Sequence, residues 1–431
     1  MHQSNESVRP ETGRRRRSRR GQPVGSKTGR SISLLVLLQI SSLAVPLATM
    51  PFLTRVLGPA AWGHLAAIQA LAITMSILVE YGFQYTATRS LSIQRDSPAA
   101  VQRIVSDVVT AKMYLSILAA LIGTVIYVVV PSFQENGTLY LVGILYAIIL
   151  GWSPIWYFQG MERLQLAVTI DVGAKIVSAA WIFIAVRTPA DAVLVLVAQS
   201  VVTALATILN YLRLMRCSGR PTLSTRRARA GLAEGFPLFL YRAVVTIYSV
   251  GSTAVLRGMS SSIETGNYAN ADRLTSAAKS LIVPVGQVMF PKISRLHASD
   301  PLHAKKIMLV SLAVLTTPFA AVGVAAMALS PYLLPLFFGP NYEGTIPIFQ
   351  VLCLTLPLVA ASNVLGIQWM LARGRQRAFN LLVTLSAVSS IICMIFLVPS
   401  LGGLGMAWSV VIAEAILVLS MTLHALIGKE Q

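Results

Sequence analysis

"RCSGRPTLSTRRARAGLAEG", residues 216–235, is a polar interruption carrying five arginines in a chain that is otherwise mostly apolar. Of the 431 residues, 55% are apolar and 12% charged, about half the charge of an average soluble domain. That composition excludes a soluble two-domain enzyme. A membrane-crossing helix needs roughly 20 mostly apolar residues, each rising about 1.5 Å through a core of about 30 Å. Twelve stretches qualify, near 31–53, 61–83, 107–130, 138–158, 168–187, 190–212, 236–257, 271–292, 306–330, 345–372, 378–398 and 401–427. Six precede the arginine-rich loop and six follow it. The expected fold is therefore an all-α integral membrane protein of twelve transmembrane helices. Its parts are a basic tail (1–30), an N-terminal six-helix lobe (31–214), a basic linker (215–235) and a C-terminal six-helix lobe (236–431).

Lys and Arg orient the spans, because cytoplasmic loops retain positive charge. With the tail inside, inner segments hold 27 of the 35 basic residues and outer segments hold Arg55, Arg187 and Arg257. Both termini are thus expected in the cytoplasm. The tail has nine Lys or Arg against two Glu and no apolar run, which reads as disorder beside anionic membrane lipids. It lacks the aromatic residues that would stack on bases, so no nucleic acid is expected as a partner.

Other functional motifs fail. Cys217, Cys353 and Cys393 are far apart and form no C-x-x-C pair, so neither a disulfide framework nor a zinc site is expected. His297 and His303 are spaced for no helical metal site. "GQPVGSKT" at 21–28 resembles a phosphate loop but has Ser26 between Gly25 and Lys27 and follows arginines rather than a strand. No metal, no cofactor and no catalytic residue is expected.

Equal halves invite a search for a repeat. "WGHLAAIQAL" in the second span and "TGNYANADRL" in the eighth align Gly63 with Gly266, Ala66 with Ala269 and Leu71 with Leu274, an offset of 203. "FQGMERL" and "ARGRQRA" align Gly160 with Gly374 and Arg163 with Arg377. Both echoes run in one direction, which implies lobes related by an axis along the membrane normal.

Charge inside a span is costly and marks function or pairing. Lys112, Lys175, Arg242, Arg273 and Lys279 remain after the loops are counted, with Glu80, Asp107, Asp171, Asp272 and Glu414 as the acids. Asp171 and Lys175 are four apart, in the order that forms a helical ion pair. Lys112 and Asp107 lie near the inner surface, where anchoring by snorkelling and a functional role both fit. In the seventh and eighth spans Arg242, Arg257, Arg273 and Lys279 face one acid, Asp272. Asp272 and Lys279 share a helical face, and Arg273 is turned about 100° away. Surplus cations at depth fit a water-lined cavity that meets an anion; anchoring at the outer headgroups is the alternative for Arg257 and Arg273. Pro284 frees a backbone carbonyl near Lys279. Glu414 has no basic neighbour within a turn, so it is either a proton- or sodium-coupling acid or a hydrogen-bonded structural one.

The order of "LTRVLGPAAWG" at 53–63, "WYFQGMER" at 156–163, "TGNYANADRL" at 265–274 and "LGGLGMAWS" at 401–409 on a twelve-span frame resembles the multidrug/oligosaccharidyl-lipid/polysaccharide exporter superfamily. Within it, the closest likeness is to polysaccharide transporters that flip lipid-linked O-antigen or exopolysaccharide repeat units. The arginine-rich tail and Trp62 depart from the family pattern. The resemblance implies a V-shaped pair of lobes in a bacterial inner membrane enclosing a cationic cavity, and an undecaprenyl-diphosphate-linked oligosaccharide as cargo. Arg242, Lys279, Arg273, Arg257 and Arg55 are then the candidate substrate-binding residues, and Glu414 and Asp272 the candidates for a coupling proton or sodium ion. A polysaccharide polymerase and chain-length proteins would be partners. A cation-coupled multidrug exporter of the same superfamily and a membrane-embedded glycosyltransferase or ligase remain alternatives. A topology reporter fused at residue 135 or 340 is expected to report a location outside the cytoplasm; a cytoplasmic signal at either site breaks the alternation.

Overall fold

Inside a bilayer, backbone N–H and C=O groups can be satisfied only within helices or a closed barrel, and every regular element among the described residues is helical. A computed structural model describes residues 24–282, 289, 293, 296 and 300–427. The tail before residue 24, Pro284, Lys292 and Arg295 lie outside the described residues.

Helix α1 (Val24–Glu80) is 57 residues long, far more than one bilayer crossing needs. It takes in residues 24–30, which the charge pattern assigns to the tail. Its backbone leaves helical geometry at Gly58, at φ 72° and ψ 171°, directly before Pro59. A side chain there would be strained, and a proline next in line disfavours helical continuation as well. The last helix, Gln376–Ile427, breaks the same way at Gly402, at φ 54° and ψ −128°.

Between them run α2 (Phe83–Gln94), α3 (Pro98–Val129), α4 (Gly137–Gly151), α5 (Ile155–Gly160), α6 (Leu164–Ala185) and α7 (Ala192–Ser218). There follow α8 (Thr225–Tyr248), α9 (Ser252–Met259), α10 (Ser262–Ser280), α11 (Pro301–Phe338), α12 (Thr345–Cys353) and α13 (Thr355–Asn363). A π-helical stretch, Val364–Leu371, precedes the last helix, α14. Several starts are capped locally. Ser97 accepts from Ala100 N and Asp300 from His303 N, each with proline at the first helical position, where its missing N–H costs nothing.

Eight helices among the described residues are long and apolar enough to cross a membrane, or nine if the pair Thr225–Ala233 and Leu238–Tyr248, bent by 63°, is one span. The protein is thus an all-α multi-pass membrane protein. This count differs from twelve because the breaks at Gly58 and Gly402 leave two long helices uninterrupted by any loop, and because the expected eighth span, 271–292, runs into residues outside the described ones. The segment read as a linker is helical from Thr225 onward. Large apolar side chains on the outside, such as Leu121, Val125, Ile184, Leu381 and Phe396, suit a lipid-facing surface where water is absent.

One hydrophobic core joins the two halves at the arginine-poor end. It packs Trp62, Leu65, Phe133 and Leu196 of the first half with Ala254, Ala269, Leu334 and Phe338 of the second. Three further cores lie at the arginine-rich end of the first half and within the second half. Gly63 sits at the seam: a Cβ there would overlap the Ser262 carbonyl and stand 3.0 Å from Gly266 N. Trp62 Nε1 donates to Asn270 Oδ1 at 2.8 Å, and Tyr342 donates to the Thr54 carbonyl at 2.9 Å. Gly63→Val should destabilise the purified protein by about 1–3 kcal/mol through overpacking, read as a lower melting temperature in detergent. An unchanged melting curve would show that this seam is not close-packed.

Candidate functional site

Below that seam the helices part around a cavity of about 330 Å³ lined by both halves. Gln69, Tyr146 and Gln199 come from the first half, and Thr253, Asp272 and Arg273 from the second. Arg273 lies against the face of Trp62, 4.7 Å from the ring centroid, which is cation–π geometry. It donates to Gln69 Oε1 at 2.7 Å, and Gln69 Nε2 in turn donates to Gln199 Oε1 at 3.0 Å. A guanidinium carries five N–H donors, and this bond is its one side-chain hydrogen bond among the described residues. Its fork is therefore held by a ring and an amide while donors remain for a ligand. Asp272 accepts from Ser276 Oγ at 3.2 Å and forms no ion pair among the described residues.

A second chamber of about 510 Å³ adjoins the first and lies within the N-terminal half. Pro46, Thr49, Ile73, Tyr146 and Gln199 line both. Its charged lining is Glu80, Lys112, Asp171 and Lys175. Lys112 does not snorkel: it is fully buried and donates to the carbonyls of Gly151 at 2.7 Å and Ser153 at 3.2 Å, where α4 ends. Asp107, its expected companion, is turned to Arg227 at 2.8 Å. Asn210 Nδ2 donates to Asp171 at 3.3 Å, and Asp171 and Lys175 both line the chamber.

The other sequence-selected residues separate. Arg242 pairs with Glu80 at 3.0 Å and lies 5.8 Å from the Tyr85 ring centroid. Beside this pair Tyr81 and Phe239 stack at 4.6 Å with an interplanar angle of 11°. Arg257 is buried and pairs with Glu135 at 2.6 Å, which also meets His64 at 3.1 Å. Arg55 donates to the Leu336 carbonyl. Arg242, Arg257 and Arg55 thus bridge the halves instead of lining the central cavity. Four cations against one acid is not what folding brings together, because Glu80 and Glu135 arrive from the other half. Lys279 lies near enough to Glu414 to act on its charge, so Glu414 does have a basic neighbour, from another helix. Its Oε2 is buried without a hydrogen bond. In the expected seventh span Ser249 bonds its own helix and Ser252 bonds Tyr268, while Thr253 stands on the cavity wall.

Sequence reasoning passed over Gln69, Gln199 and Tyr146. An amide within an apolar span is expensive unless bonded, but a single Gln or Tyr in such a run has no spacing that marks it. No group of three His, Cys, Asp or Glu residues able to hold a metal occurs among the described residues.

Residues 28–297 match the family described as polysaccharide biosynthesis protein. The chain belongs to that family. It is similar to a candidate O-antigen transporter of Escherichia coli K12, with 26% identity over 395 residues, 90% of this chain and 94% of the relative. A candidate O-antigen transporter of Shigella dysenteriae is 26% identical over 398 residues, covering 91% and 98%. Among solved structures, the lipid II flippase MurJ in an inward closed conformation superposes with a TM-score of 0.70 at 14% identity, covering 90% of this chain and 87% of that one. A Vibrio cholerae MATE transporter gives a TM-score of 0.55 at 14% identity over 94% and 97%. At these identities the structural likeness is one of fold; the family match and the two O-antigen transporter relatives bear out the resemblance read from the motifs.

In this family member the Glu80–Arg242 pair ties the halves together at the arginine-rich end. Both side chains are partly exposed, and pairs of this kind contribute about 0.2–1 kcal/mol. Glu80→Gln should therefore shift the closed–open balance of that end by up to about fivefold. Labelling of a cysteine placed at Gln84 by an impermeant maleimide would read this as faster modification. An unchanged rate would mean that the stacked rings alone hold the closure.

Proposed function

We propose that this chain flips an undecaprenyl-diphosphate-linked oligosaccharide repeat unit from the cytoplasmic to the periplasmic leaflet of a bacterial inner membrane. It works by alternating access and serves surface polysaccharide synthesis. The carrying observation is the Arg273 guanidinium, held over the Trp62 ring and lining a cavity between the two halves. Guanidinium and diphosphate pair through charge-assisted, often bidentate hydrogen bonds. The similarity to O-antigen transporters and the fold shared with a lipid II flippase support a lipid-linked glycan as cargo. The polyprenyl chain stays in lipid while the head crosses. The chain is a transporter, and translocation needs no covalent step at the cavity.

Alternating access suits two six-helix lobes. Dividing the long helices at Gly58 and Gly402, and counting the bent α8–α9 region and α10 as one crossing each, gives twelve spans with both termini on the arginine-rich, cytoplasmic side. The contact between Gly63 and Gly266, equivalent positions in the repeat, fits an axis passing between them. Asp272 in the cavity and Glu414, whose Oε2 is buried without a hydrogen bond, are the candidates to carry a coupling proton or sodium ion. A membrane negative inside adds a drive for outward anion movement of about 2.3 kcal/mol per charge per 100 mV.

Arg273→Ala should lower surface polysaccharide export roughly tenfold to a hundredfold, the worth of a charged hydrogen bond of about 1.5–3 kcal/mol, with membrane abundance unchanged. Arg55→Ala, at the outer rim, should export nearly normally. Wild-type export by Arg273→Ala would remove the diphosphate role from the central cavity.

A further inference from the structure

The chamber within the N-terminal half has a chemistry unlike the central cavity. Trp156 Nε1 and Ser178 Oγ are buried without a hydrogen-bond partner. Both residues line this chamber and are 2% and 7% exposed. Buried donors are normally satisfied, so two unpaired ones on one wall point to a polar guest. Tyr146 stands between the two chambers and has no hydrogen-bond partner for its hydroxyl among the described residues.

The charges decide what guest fits. Glu80 is taken up by Arg242 and Lys112 by the carbonyls of Gly151 and Ser153, which leaves Asp171 and Lys175, one acid to one base, to meet a guest. A diphosphate entering here would meet the Asp171 carboxylate. A polyprenyl tail would strip water from buried charges without replacing its hydrogen bonds. A neutral, hydroxyl-rich group avoids both penalties, because hydroxyls donate to carboxylates and accept from indole, hydroxyl and ammonium N–H or O–H groups. The volume of about 510 Å³ lies within the usual range of small-molecule sites, about 300–1,000 Å³.

We propose that this chamber is a glycan subsite: it receives sugar residues of the cargo while the adjoining Arg273 holds the diphosphate. The inference rests on the reading that the cargo is a lipid-linked oligosaccharide. Trp156, Asp171, Lys175 and Ser178 contact the sugar, and Tyr146 and Gln199 mark its passage from the central cavity. A site built to hydrogen-bond hydroxyls penalises analogues that lack them, so these positions set which repeat units pass.

The test uses the full-length protein in lipid nanodiscs with two probes: undecaprenyl diphosphate, and the undecaprenyl-diphosphate-linked oligosaccharide extracted from the cells that make the protein. Dissociation constants come from native mass spectrometry. Wild type should favour the glycosylated lipid by about tenfold or more, the worth of one hydrogen bond to a charged group. Ser178→Ala with Asp171→Asn should erase most of that preference and leave the bare-lipid constant unchanged. The Ser178 change removes a hydroxyl that bonds nothing, and a melting curve checks that the fold is intact; Trp156→Phe is the second variant. Arg273→Ala should weaken both probes. A glycan preference that survives in both sets of chamber variants overturns the subsite, as does a wild type that binds the two lipids equally. In either case the diphosphate reading stands if Arg273→Ala still loses bare lipid. A wild type that binds neither probe overturns both readings.

Discussion

Trp62 is where closure and binding meet. Its indole N–H holds Asn270 across the seam at 2.8 Å, and its ring lies 4.7 Å from the Arg273 guanidinium. Gly63, the next residue, lets the two backbones approach until no side chain fits between them. The same stretch of α1 therefore seals the arginine-poor end and aims the cation of the cavity beneath it. Separating the halves at this end would part Trp62 from Asn270 and withdraw the surface on which Arg273 lies. A ligand bound to Arg273 and the state of the seam are thus coupled through one side chain, which is the kind of differential contact that a conformational equilibrium needs.

Each end of the molecule is also bridged by an ion pair between halves, Glu135–Arg257 with His64 at the arginine-poor end and Glu80–Arg242 at the other. Neither is sealed from solvent on both sides, so neither is a strong lock. Stacked Tyr81 and Phe239 add apolar contact beside the second pair. Two closures of modest strength fit the alternating access proposed above, since packed interfaces switch between discrete arrangements rather than stretch.

The helical membrane fold was legible from hydropathy alone, and the offset of 203 picked out Gly63 and Gly266, which touch. The number of crossings was harder to read in the folded helices, because Gly58 and Gly402 break them within a single residue. α10 carries too many polar groups to look like a span, since its neighbours are protein on most sides: Asn267, Asn270 and Thr275 are buried. The charge pairing was not legible. Arg242 and Glu80 stand 162 residues apart and Arg257 and Glu135 122 apart, and a count taken span by span cannot see such partners. Arg273, which the count selected, lines the central cavity; Gln69, Gln199 and Tyr146, which line it too, were not selected, because a lone amide or phenol in an apolar run has no spacing to announce it.

Of the five cations expected at the cavity only Arg273 lines it, and that suits the transport reading. A site that passes its ligand onward must bind well enough to admit it and weakly enough to release it. Each charge-assisted bond is worth about 1.5–3 kcal/mol, so four cations closing on one diphosphate would hold it by several times that amount and slow its departure accordingly. One guanidinium backed by amides can be relieved by a small displacement of Trp62 or Gln69. The remaining cations serve instead at the two ends, where Arg242 and Arg257 meet acids of the opposite half and their charge is spent on closure. Positive charge in this chain is thus divided between one guanidinium that faces the central cavity and others that bridge the two halves.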